Sequence, residues 1–332
     1  MGSATGDSFG SSFERIFIGL TAAAAGLALA FLAVQGPLIR GVVTYKTAPG
    51  IMGQLAGQDA VNMVLVGPLL LVGGILLLLR KPLAKDLLIA TPLFLIYYAL
   101  SYTIGWEWSS PAYAGNSERY FFLYLFVLVA ALVILLYTLA VFPKNVESRF
   151  RKGGLAVYSV VFTLFLLVFG GMWVKEALEV VRTGTARGYD LAPTAFWLVR
   201  VIDLGFSMPL GLISVYLLWA RPNKAYPVIC LFYGFFFTQI VAVLAMGVTM
   251  YFTKDPTFLW RDLVVFAVLA AIIAFGFFYV RRNYKVAPSA GAKQQAPGNT
   301  TLASKDEREL LRILAEDEFI PLEQAKKKLD LK

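Results

Sequence analysis

The sequence predicts an all-α integral membrane protein, with eight transmembrane helices arranged as two parallel four-helix repeats and a small cytosolic helical hairpin after them. Three observations carry this. Hydrophobic residues make up 58% of the 332 and charged residues 15%, with a mean hydropathy of +0.69, proportions foreign to a soluble domain. Eight apolar runs are each long enough to cross a hydrocarbon core about 30 Å thick at about 1.5 Å per helical residue. A spaced pattern also recurs: Asn62, Pro68 and Arg80 match Asp203, Pro209 and Arg221, each 141 residues later.

Residues 1–13 are Gly/Ser-rich and read as a disordered N-terminus. The first apolar run, about 17–38, has an Ala-rich centre like that of a signal peptide. It exceeds a typical signal core and matches the run near 158–179 at the repeat offset, so it reads as a retained span. Further spans are expected at about 62–79, 87–105, 120–142, 155–178, 194–219, 226–251 and 262–280. The first repeat is therefore 14–142 and the second 155–285, joined by a loop over 143–154. Trp106, Trp108, Tyr120, Trp197, Trp219, Tyr251 and Trp260 mark span ends, as amphipathic rings at an interface do.

Basic residues give the orientation. One side of the chain collects Arg15, Arg80, Lys81, Lys85, Lys144, Arg149, Arg151, Lys152, Arg221, Lys224, Arg281, Arg282 and Lys285, opposed only by Asp7, Glu14, Asp86 and Glu147. On the other side bases and acids balance. The positive side reads as cytoplasmic, which puts both termini inside a cell (plasma) membrane. Four spans per repeat send both halves across in the same direction, so their symmetry axis is expected along the membrane normal.

After Lys285 the composition changes. Residues 286–303 are rich in Ala, Pro, Gly, Gln, Ser and Thr, a flexible linker. Ser304 and Glu307 then form a capping-box pattern ahead of Leu310, Leu311, Ile313 and Leu314. Pro321 starts a second short helix, giving a helical hairpin over 304–332. Its two helices resemble the start of a winged-helix domain but stop where a recognition helix would begin. Nucleic-acid readout is therefore not expected, and docking of a cytosolic protein is.

Composition excludes several chemistries. The chain has no histidine and one cysteine, Cys230, so bis-His haem, His/Cys zinc sites, disulfide scaffolds and Ser-His-Asp or Cys-His nucleophiles are not expected. No phosphate loop, nucleophile elbow or metalloprotease motif appears. We expect no cofactor, no metal and no enzymatic activity; membrane lipids are the expected surroundings.

Charged and polar groups inside spans are functional candidates because burying them in hydrocarbon is costly. Counting from the basic ends, Asn62 and Asp203 fall near the outer boundary, as does Glu176. Asp59 and Asn62 share a helix face, as do Arg200 and Asp203, and Asp59 coincides with Arg200 at the repeat offset. Opposite charges at matching positions suit pairing across the axis or the flanking of a small polar ligand. Deeper, Tyr98 and Gln239 match each other near mid-span, either lining a cavity or bonding helix to helix. Pro68 and Pro209 remove a backbone hydrogen bond and predict kinks.

The run from Gly57-Gln58-Asp59 through Asn62 to Pro68, the later Tyr97-Tyr98 and Ser101-Tyr102, and Val201-Ile-Asp203 to Pro209 resemble an uncharacterised group of prokaryotic multi-pass membrane proteins. The likeness covers most of 10–282 and implies architecture, not activity. The leading expectation is a protein that binds or translocates a small polar solute through an outward-facing cavity between the repeats, with Asp59, Asn62, Arg200 and Asp203 at its rim. The alternative is a membrane sensor or assembly protein acting through its cytosolic tail. A membrane enzyme acting on lipid ranks last.

Overall fold

The computed structural model describes residues 9–106, 112–143 and 146–286. The eight apolar runs are eight helices: α1 Ser12–Gln35, α2 Pro49–Leu78, α3 Leu83–Gly105, α4 Ser117–Val141, α5 Lys152–Thr183, α6 Pro193–Ala220, α7 Pro222–Thr253 and α8 Trp260–Asn283. Each is long and apolar enough to cross a membrane. Among the described residues one non-helical pair interrupts the all-α expectation. The strand β1, Val146–Ser148, lies in the expected loop and pairs antiparallel with β2, Tyr284–Val286. The expected hairpin over 304–332, the linker beyond Val286, Trp108 and Lys144 lie outside the described residues.

The largest correction concerns α2, which begins at Pro49 rather than near 62. The stretch from Met52 to Asp59 is rich in Gly and Gln and reads as a polar loop by hydropathy. It folds as helix because its small residues let two backbones meet. A Cβ on Gly57 would sit 2.4 Å from the Met246 Cα, and Thr249 donates its hydroxyl to the Gly53 carbonyl at 2.6 Å. Asp59 and Asn62 are therefore in the middle of a 30-residue helix, not at its outer end. Asp203 likewise lies ten residues inside α6, about 15 Å from its Pro193 end.

Small residues also join α1 to α2. A Cβ on Gly26 would meet the Gly67 carbonyl oxygen at 2.7 Å, and one on Gly74 would meet that of Gly19 at 2.5 Å. Further on, α7 packs against α2, α6 and α8, while α6 also packs against the end of α3. Where α3 breaks at Ala90–Thr91, Gly234 of α7 fits so closely that a Cβ would lie 2.4 Å from the Ala90 Cα.

Three helices contain a π turn: α2 at Asn62–Val66, α3 at Ser101–Gly105 and α6 at Asp203–Ser207. Two of them run up to the prolines expected to kink their helices. Pro68 and Pro209 cannot donate to the preceding turn and would collide with it, and the widened turn accommodates the missing bond. Both π turns start at the polar residue of the spaced pattern, Asn62 in one helix and Asp203 in the other.

Contacts at the basic end tie distant segments together. The Tyr137 hydroxyl donates to the Phe9 carbonyl at 2.8 Å, Lys85 donates to the Val141 carbonyl at 3.0 Å, and the Tyr284 hydroxyl donates to Pro222 at 2.7 Å. At the far end Lys46 pairs with Glu118 at 2.7 Å, and Thr47 donates to Leu191 at 3.2 Å.

Candidate functional site

A cavity of about 310 Å³ lies among α2, α3, α5, α6, α7 and α8. That is large enough for a small organic molecule. It runs from the far-end loops, where Gly188, Thr257 and Phe258 reach it, down to Phe235 and Ile273. Beyond Ile273 the way to the basic end is filled. Gly276 of α8 carries no Cβ, and one placed there would sit 2.2 Å from Phe162 Cζ. Phe162 stacks on Tyr158, whose hydroxyl is 2.7 Å from that of Tyr233. The cavity is therefore closed toward the basic end.

Charge enters it from two helices. Arg200, 9% exposed, forms an ion pair with Glu176 of α5 and donates from Nη1 to the Phe196 carbonyl at 3.0 Å. Its guanidinium carbon lies 4.5 Å from the Trp173 ring centre and 3.4 Å from that of Phe196. A buried arginine needs a counterion and benefits from an aromatic face, and this one has both. Its Nε hydrogen has no partner among the described residues. Asp203, 6% exposed, accepts from the Ser207 hydroxyl at 3.2 Å, within the same π turn. At the mouth Arg187 pairs with Asp262.

Of the candidates read from the sequence, Glu176, Arg200, Asp203, Tyr98 and Gln239 all line this cavity. Asp59 and Asn62 do not. Asp59, 1% exposed, faces the turn after α1, where it accepts weakly from the Leu38 N–H at 3.4 Å and fills the space beside Gly36. Asn62 accepts from Gln58 Nε2 at 3.2 Å within its own helix. No ion pair joins Asp59 to Arg200 among the described residues, because Glu176 holds the arginine instead. The expected four-residue rim thus divides in two: Arg200 and Asp203 are walls of the cavity, while Asp59 and Asn62 are buried at helix contacts.

Several wall residues were not among the site candidates read from the sequence: Gln54, Gln58, Trp173, Arg187 and Ser207. Trp173 and Glu176 are three residues apart on one helix face, so the pairing of an aromatic with an acid there was a readable signal. Gln54 was hidden because its segment did not read as a span. Tyr98 packs against Tyr102 and Tyr124, with ring centres 4.4 and 5.9 Å away. The Tyr102 hydroxyl and the Ser101 Oγ are buried with no hydrogen-bond partner among the described residues.

In comparisons with known proteins no family model matches the chain, and no curated protein and no solved structure matches it.

Proposed function

We propose that this multi-pass membrane protein binds, and passes across the membrane, a small solute with a polar end, using the cavity between spans 1–4 and spans 5–8. The observation that carries the reading is the convergence of Arg200, Glu176 and Asp203 with Tyr98 and Gln239 on one buried space closed toward the basic end. Charges are retained inside an apolar bundle at a cost, and a ligand is the usual return for it. In this reading the basic end faces the cytoplasm, the cavity faces outward, and the protein is not an enzyme. The two four-helix repeats are supported by the π turns at Asn62 and Asp203, by the prolines that follow each, and by the crossed packing of α2 on α7 and of α6 on α3. The likeness to prokaryotic multi-pass proteins belongs to the same reading.

Cysteine accessibility tests it. With Cys230→Ser as background, Gln239→Cys in sealed vesicles of known sidedness is expected to react with a charged thiol reagent added on the far side only. Reaction from the basic side, or no reaction in folded protein, would overturn the outward cavity. Removing residues 288–332 is expected to leave solute binding intact, and loss of binding on that deletion would favour a role acting through the tail.

A further inference from the structure

We infer that the solute taken by this cavity is a lipophilic monocation: an ammonium-type head held against Asp203 with an apolar tail running along the aromatic wall. This rests on the cavity reading above and names its ligand class.

The charge balance of the walls points to the sign of the head. The acids and bases among the lining residues are Arg187 and Arg200 with Glu176, Asp203 and Asp262. Arg200 is held by Glu176, and Asp262 at the mouth is shared by Arg187 and Arg261. Asp203 is the wall acid with no ion pair among the described residues, and the neutral Ser207 hydroxyl donates to it. An anionic head brought here would meet Asp203 and Glu176 together. A cation would supply the missing counterion, and in a space screened from water that interaction is strong.

The walls point to the rest of the molecule. Beside Asp203 stand Trp173 and Tyr97, and the space continues along Phe169, Phe236, Phe266 and Leu269. Aromatic faces attract a cation electrostatically and accept an alkyl or aryl tail equally well. A small hydrophilic solute would leave most of this wall uncovered. The Ser101 and Tyr102 hydroxyls, buried and without hydrogen-bond partners among the described residues, can accept from an N–H head or orient around it.

Three probes of one chain length separate the possibilities: dodecyltrimethylammonium, dodecanol and dodecanoate. The full chain is placed in nanodiscs of uncharged phosphatidylcholine, and binding is measured by equilibrium dialysis with empty nanodiscs subtracted. The expected result is saturable binding of the cation at one site, competed poorly by the other two. Asp203→Asn is expected to weaken cation binding by at least about tenfold, as loss of a buried charge partner does, and Asp203→Glu to retain most of it. Equal competition by dodecanoate or dodecanol overturns the inference. So does undiminished cation binding to an Asp203→Asn protein with wild-type melting behaviour. Should no probe saturate while Gln239→Cys still reacts from the far side, the ligand class is wrong and the cavity reading stands. Should both fail, both fall.

Discussion

Helices α1 and α2 hold each other by their backbones, whereas α5 and α6, at the matching place 141 residues on, do not. In the first pair Gly19 and Gly26 face Gly74 and Gly67, so close that a single added carbon would strike a carbonyl oxygen. The residues 141 positions later are Val160, Leu167, Val215 and Met208. Val160 and Leu167 are well exposed on the outer surface of α5. Where α5 and α6 do touch, a glycine meets a large side chain, Gly170 against Met208 and Gly211 against Leu166. Glycine on both sides brings axes together, and glycine on one side holds them apart. One pair of helices is thus a tight brace, and the other stands open enough for Phe169, Trp173 and Glu176 to border a cavity.

The contrast can be broken most severely in the brace. Gly74→Leu has nowhere to place a side chain, since even its Cβ would sit 2.5 Å from the Gly19 oxygen. We expect a loss of about 3 kcal/mol or more, read as loss of the monodisperse peak in size-exclusion chromatography. Gly171→Leu, on α5 with nothing within 4 Å of its Cβ, is expected to leave that peak unchanged. Equal damage from both would mean that α5 is as tightly braced as α1.

Next comes the plug beneath the cavity. Phe162→Ala removes a ring that is 1% exposed, at a cost on the order of 2 kcal/mol, mostly lost packing rather than lost burial from water. Combined with Gly276→Cys in the Cys230→Ser background, it should let a charged thiol reagent from the far side reach position 276. A cysteine that stays unreactive there would show that Tyr233 and its neighbours seal the path without Phe162.

A smaller effect is expected from Arg200→Gln. Glu176 would lose its ion pair and the cavity would become more negative, so dodecyltrimethylammonium should bind more tightly by roughly threefold to tenfold. Weaker cation binding in protein with unchanged melting would show that Arg200 shapes the site more than its charge does.

The smallest effect belongs at the basic end. Arg149 donates to both carboxylate oxygens of Glu147, at 3.1 and 3.0 Å, and holds that carboxyl below the usual range. Any stability this adds is present above the unfolded carboxyl's pKa and is lost as pH falls through the folded value. The pair is solvated, so Glu147→Gln should leave the melting temperature unchanged at pH 7. A clear drop would make the β1–β2 ribbon a structural clasp.

Much of the helix layout was legible because hydrocarbon-length apolar runs leave few other options. The cavity was legible only in part. Asp203, Arg200, Tyr98, Gln239 and Glu176 announced themselves as polar groups inside apolar runs, and the fold brings all five to one space. Asp59 did the same and is elsewhere, because Gly36 opens a recess beside it that no hydropathy pattern records. The bond between Glu176 and Arg200 spans 24 residues and a loop, and pairing at that distance depends on tertiary packing. The start of α2 was missed because hydropathy scores glycine and glutamine by their polarity. In a bundle what matters there is their size and what they touch.

The π turn at Asp203–Ser207 has one further consequence. Each such turn holds one residue more than the α-helix would use, so the helix on its N-terminal side is rotated relative to the rest by about 100°. That added residue works as a phase setting: it decides which azimuth Arg200 and Phe196 present while leaving the axis of α6 in place. Gly205, exposed and with nothing within 4 Å of its Cβ, is a residue the turn can lose without losing a contact. Deleting it would reset the phase, swing Arg200 away from Glu176, and turn the outward face of the helix in toward the cavity.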